Sequence, residues 1–141
     1  MKKKLIVVSV AVLALILLSS LWYLSPVSAW SVESAKVREI QIVDGKTGKE
    51  IKISKRDVID HLIGNLSKLE LQRRQLSIGE IGYRYRVHII MNEGERLDGW
   101  DRFVIRSEGR ISNAPFLYTP YGTGIDMDYI HLLFQEQPNG G

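Results

Sequence analysis

Tyr83-Arg84-Tyr85-Arg86-Val87-His88-Ile89-Ile90-Met91 is the stretch on which the fold turns. Tyr83, Tyr85, Val87, Ile89 and Met91 fall on one side of an extended chain; Arg84, Arg86 and His88 fall on the other, with Ile90 ending that side. A period of two is what a strand buried on one face and wet on the other requires. Aromatic and β-branched residues suit such a pleated surface, so Tyr83 and Tyr85 are expected in the core.

Downstream, Asn92-Glu93-Gly94-Glu95 turns the chain, and residues 100–105 form a second strand with Phe103 and Ile105 inward. Ser107-Glu108-Gly109 turns it again, and residues 110–118 form a third. Pro115 inside that run predicts an edge position or a bulge, because proline cannot donate to a ladder. Residues 119–124 read as a loop, and 126–134 as a closing helix with Ile130, Leu133 and Phe134 inward.

Upstream, residues 77–82 read as a connection, and 69–75 fit either a helical tail or a short strand. Val58, Ile59, Leu62, Ile63, Leu66 and Leu69 recur at helical spacing, behind a start signal in which Ser54 serves as N-cap and Asp57 as partner. Residues 37–43 and 51–53 alternate around Asp44-Gly45-Lys46-Thr47-Gly48-Lys49, the chemistry of a tight reversal. The order predicts one α+β domain over residues 36–135: a β-hairpin, an amphipathic helix, an antiparallel three-strand meander and a C-terminal helix. Residues 136–141 form a polar tail, and 30–35 a linker.

Residues 1–29 have another character. Lys2-Lys3-Lys4 precede an apolar run over 5–24, then Ser25-Pro26-Val27-Ser28-Ala29. Basic, apolar and small-residue parts in that order are the layout of an export signal, with the cut expected between Ala29 and Trp30. A predominantly apolar run of twenty residues also suffices to cross a hydrocarbon core of about 30 Å. Two readings follow: a cleaved signal peptide and a secreted domain, or a retained anchor with the domain on the outer side of the cytoplasmic membrane. Lysines ahead of the run keep the N-terminus cytoplasmic in both.

Composition removes several function classes. Lys2, Lys3 and Lys4 account for the whole net charge of +3, and the 16 remaining Lys and Arg balance 16 Asp and Glu. A neutral domain gives no general attraction for polyanions, so nucleic acid is not an expected partner. The chain has no cysteine, which excludes disulfides, thiolate metal sites and a lipid anchor on cysteine.

The sharpest constellation is basic. Arg84, Arg86 and His88 share one side of their strand, and Arg102 and Arg106 share a side of the next. Side by side, the strands would present five potential cations on the sheet face away from the helix, a surface for phosphate or carboxylate. The plain reading is a solvated face with cross-strand charge pairs. Trp100, Phe116, Tyr118 and Tyr121 offer aromatic contacts for a sugar or protein partner, or simple packing. Glu93, Glu95, Asp98 and Asp101 include candidate carboxylate pairs for glycoside chemistry, or turn charges that keep an edge soluble.

Neither a phosphate loop nor a local metal-ligand spacing is present: the glycines of residues 45–49 are too close, and His61, His88 and His131 lack partners at helical spacing. No cofactor is expected. The hairpin with its Asp-Gly-Lys turn, the helix begun at Ser54 and the meander over 83–118 resemble the small exported or lipid-anchored α+β domains of Bacillus-type bacteria. That resemblance implies an envelope role and carries no active-site residue. The reading is a non-enzymatic, regulatory or immunity-like binding module docking a peptide, protein or envelope component. A small envelope hydrolase using carboxylates in 93–101, or a structural envelope or spore-associated protein, are the alternatives.

Overall fold

In a computed structural model describing residues 1–76, 82–122 and 124–136, the alternation quoted above is carried into burial. Within β4 (Tyr85–Met91), Tyr85, Val87 and Ile89 are buried while Arg86 is exposed and His88 lies between. In β5 (Arg102–Ile105), Phe103 and Ile105 are buried and Arg102 is exposed. The apolar side is covered by α2 (Arg56–Ser67), through Ile59, Leu62, Ile63 and Leu66, and by α3 (Met127–Glu136), through Ile130, Leu133 and Phe134. The Tyr85 and Phe134 rings stack with centroids 5.5 Å apart.

The chain is α+β. An apolar helix, α1 (Lys2–Leu24), leads through a 3₁₀ turn at Ser34–Lys36 into the hairpin β1 (Val37–Asp44) and β2 (Glu50–Ile53). After α2 come β3 (Leu71–Leu76), then β4 and β5, β6 (Ile111–Asn113) and β7 (Phe116–Pro120) before α3. Together they form a seven-stranded sheet in the order β2-β1-β4-β5-β6-β7-β3, every neighbouring pair antiparallel. The two segments that flank α2 therefore lie at opposite edges. His61 stacks on Tyr129 at 3.8 Å and approaches Asp126 at 3.5 Å, tying α2 to α3. Asp126 also accepts the Tyr129 N–H at 3.1 Å, the helix-start role expected of an acidic residue there.

Several boundaries differ from the sequence expectation. The expected three-strand meander has four strands, because residues 110–118 hold two separated by Ala114-Pro115; the proline sits in the turn, where it has no ladder bond to lose. Residues 119 and 120 extend β7. The ambiguous stretch after α2 is strand, since pairing with β7 meets its backbone bonds. Ser54 does not cap α2: the helix starts one residue later, with Lys55 at the N-cap and no side-chain bond. Tyr83 stands outside β4 and is only partly buried. Most of the expected connection 77–82, and the tail beyond 136, lie outside the described residues.

The largest correction concerns residues 30–35. Trp30 is fully buried; its ring lies 5.1 Å from Trp100 and 4.7 Å from Phe103, and its indole N–H donates to the Trp100 carbonyl at 3.2 Å. Val27, Ala29 and Val32 pack against the same core. What reads as a linker is part of the domain, because an aromatic of this size gains more from burial than the loop loses in entropy.

Candidate functional site

The sheet face opposite the helices carries the polar half of the alternation. Register sets its rows: Lys52 pairs with Gln41, Gln41 with His88 and His88 with Arg102; Glu50 pairs with Val43, Val43 with Arg86 and Arg86 with Val104. His88 and Arg102 are thus direct cross-strand neighbours, with Arg86 two residues along on the same face; such partners sit about 5 Å apart. Gln41, Val43, Glu50, Arg86, Val87, His88 and Arg102 line a shallow depression of about 230 Å³. The Arg86 guanidinium lies 4.6 Å from the centre of the Tyr83 ring, which steadies it without using its donors. Among the described residues, neither Arg86 nor Arg102 is in an ion pair with a carboxylate.

Two of the five expected cations do not belong to this face. Arg84 donates to Asp44 at 2.5 Å, and the two side chains are only 14% and 10% exposed. It also lies over the Tyr85 ring at 4.4 Å. The reason is position: Arg84 precedes β4, next to Tyr85, whose register partner is Asp44. The Asp44 carboxylate further accepts the Lys46 N–H at 2.8 Å, so the pair locks the β1–β2 turn. Gly45 sits so close behind this pair that a Cβ there would stand 2.0 Å from the Tyr83 carbonyl oxygen, which requires glycine. Arg106 follows β5 and donates to the Gly82 carbonyl at 2.7 Å, which engages it away from Arg86 and Arg102.

The aromatic candidates divide likewise. Trp100 packs on Trp30 and, at 5.0 Å, on Tyr118. Tyr118 is buried, and burial raises its phenol above the usual value, with Arg73 opposing that shift. Tyr85 is raised for the same first reason, Arg84 opposing. These are packing residues, whereas Tyr121 remains exposed. Phe116 has a different neighbour, the end of α1: its ring lies 6.0 Å from Trp22 and 6.1 Å from Tyr23.

Of the acidic candidates, Glu95, Asp98 and Asp101 line a second depression of about 580 Å³ with His88, Ile89, Ile90, Met91, Arg96, Leu97 and Gly99. Glu93 is not on its wall, and Glu95 is 3.8 Å from Lys36. Among the described residues no group of three His, Asp or Glu side chains converges as a metal site would require.

One residue that joins α1 to the sheet has no forward signal in the sequence. Arg73 of β3 donates to the carbonyls of Trp22 at 2.8 Å and Ser25 at 3.3 Å, and stacks 3.9 Å from the Trp22 ring. A cation on the last carbonyls of a helix satisfies orphan acceptors and opposes the macrodipole. Only the need of α1 for a C-terminal partner hints at it, and β3 lies some fifty residues away in sequence.

No family of known proteins, no curated protein and no solved structure matches this chain, so the geometry above is what speaks for its function.

Proposed function

We propose that the chain is a membrane-anchored, extracytoplasmic, non-enzymatic binding module. Its uncovered sheet face takes a ligand bearing carboxylate or phosphate, such as an acidic peptide or an anionic envelope polymer. The observation that carries this reading is the trio Arg86, His88 and Arg102, adjacent across β4 and β5 and lining one depression. Two guanidinium forks with no carboxylate partner among the described residues offer bidentate recognition of a planar or tetrahedral oxyanion. The neutral balance of the domain makes such recognition local rather than a general polyanion affinity.

Retention of α1 is supported by what cleavage ahead of Trp30 would do. Trp30 is 0% exposed in the intact chain, and Val27 and Ala29 pack against the same core, so the cut would place a new charge at the edge of that core and strip part of its cover. The cut would also remove Val27, whose N–H and C=O exchange hydrogen bonds of 2.8 Å with Leu71. At 23 residues α1 is about 34 Å long, enough to span a hydrocarbon core of about 30 Å.

Titration of the full chain in detergent micelles with inorganic phosphate and with oligoglutamate, followed by NMR, tests the binding face. Expected are shifts at Arg86, His88 and Arg102 with at least one ligand, abolished in Arg86→Ala/Arg102→Ala. Unchanged spectra with both would remove the binding-module reading. A hydrolase reading draws instead on Asp98 and Asp101 in the larger depression, and would be favoured by turnover of a glycan that Asp98→Asn or Asp101→Asn abolishes.

A further inference from the structure

The joint between α1 and the domain is built, not slack. Arg73 holds the carbonyls of Trp22 and Ser25, Val27 pairs with Leu71 in a bridge, and Trp22 and Tyr23 pack on Phe116. A helix clamped this way delivers one edge of the sheet, β3 and β7, to wherever the helix leads. Tryptophan and tyrosine near the end of a spanning helix sit at the level of the lipid headgroups. Phe116 touches both Trp22 and Tyr23, and is therefore at that level.

The surface around Phe116 is unusual for one expected to face water. Leu76, its register partner on β3, is 54% exposed, the only exposed leucine between α1 and α3 among the described residues. The β6–β7 turn beside it is Ala114-Pro115, exposed and without a charge. Arg74, two residues before Leu76, is exposed and makes no ion pair or hydrogen bond among the described residues. An apolar rim with one exposed cation, next to an aromatic pair at headgroup level, matches the chemistry of a bilayer surface. The apolar atoms meet the acyl boundary and the cation meets phosphate.

We infer that Leu76, Ala114, Pro115 and Phe116, with Arg74, form a second membrane contact that seats the β3–β7 edge on the outer leaflet. This rests on the anchored reading above. The occupant is the lipid surface to which α1 leads, and the contact is continuous with the helix exit. The sheet then stands on that edge, with β2 farthest from the bilayer and the Arg86–His88–Arg102 face turned sideways, open to a partner arriving along the envelope.

Because the chain has no cysteine, single nitroxide labels report without background. The full chain carrying Leu76→Cys or Lys52→Cys is reconstituted in phosphatidylcholine vesicles containing phosphatidylglycerol. Power-saturation EPR then compares oxygen with a water-soluble nickel relaxant. A label at residue 76 is expected at headgroup depth, favouring oxygen; a label at residue 52 is expected to favour nickel. Arg74→Glu should shift the residue 76 label toward nickel, with the chain still in the vesicle fraction. Nickel preference at both labels, with the chain vesicle-bound, overturns the second contact and leaves the anchor standing. A chain found outside the vesicle fraction overturns both, so the two failures are told apart.

Discussion

Replacing Trp30 by alanine is expected to cost the domain about 4 kcal/mol, the usual range for emptying a fully packed tryptophan site. The side chain fills the space between Trp100 and Phe103 and makes a hydrogen bond to the Trp100 carbonyl. Alanine leaves a cavity that this aromatic cluster cannot collapse into without tilting Trp100 away from Tyr118. Trp30→Phe, which keeps a ring but drops the donor, should lose far less, about 1–2 kcal/mol. Urea denaturation of the full chain in micelles, followed by near-ultraviolet circular dichroism, measures both. A loss under about 0.5 kcal/mol for alanine is the behaviour of an exposed linker residue and would contradict the burial.

Arg84→Met is expected to be the next most damaging change, at about 3 kcal/mol. The substitution removes the cation from an Asp44 carboxylate that is 10% exposed in the native pair, leaving it, among the described residues, the Lys46 N–H. Much of that penalty belongs to the stranded charge rather than to the lost attraction. Asp44→Asn in the same background should therefore restore most of the stability, since an amide keeps an acceptor for Lys46 and carries no charge. A double-mutant cycle by urea midpoint checks the sign. Strictly additive losses would show that the two side chains are not coupled and that Arg84 acts as a free surface cation. By contrast, Arg86→Ala or Arg102→Ala should change stability by no more than about 0.5 kcal/mol, because each is exposed and, among the described residues, neither is paired with a carboxylate.

The centre of the sheet was legible because one-sided burial writes a period of two into the chain. Tyr85, Val87 and Ile89 against Arg86 and His88 carry it, and so do Phe103 and Ile105 against Arg102. The hairpin β1–β2 and the apolar stripes of α2 and α3 were legible for the same kind of reason. Legibility ended where position depends on a distant segment. Nothing in Leu71-Gln72-Arg73-Arg74-Gln75-Leu76 says that it lies at the edge opposite β2, since only its pairing with β7 puts it there.

Arg84 looks equivalent to Arg86 by spacing, yet its partner is a turn aspartate forty residues earlier, which no periodicity reveals. Trp30 follows a small-residue motif that speaks of cleavage, and the cluster that buries it is assembled from residues 100 and 103. The candidate face was thus half readable. Arg86, His88 and Arg102 share the open face as the alternation implies, whereas Arg84 and Arg106 turn to Asp44 and to the Gly82 carbonyl.

Both the orientation of the domain and the use of its open face depend on α1 remaining attached. The intact mass of the chain, expressed with its own N-terminus in a bacterial host and recovered from separated membrane and soluble fractions, tests that most directly. The expected result is the mass of the full 141 residues in the membrane fraction, with Val27 still paired to Leu71 and Trp30 within the core. A mass beginning at Trp30, in the soluble fraction or the medium, would contradict it.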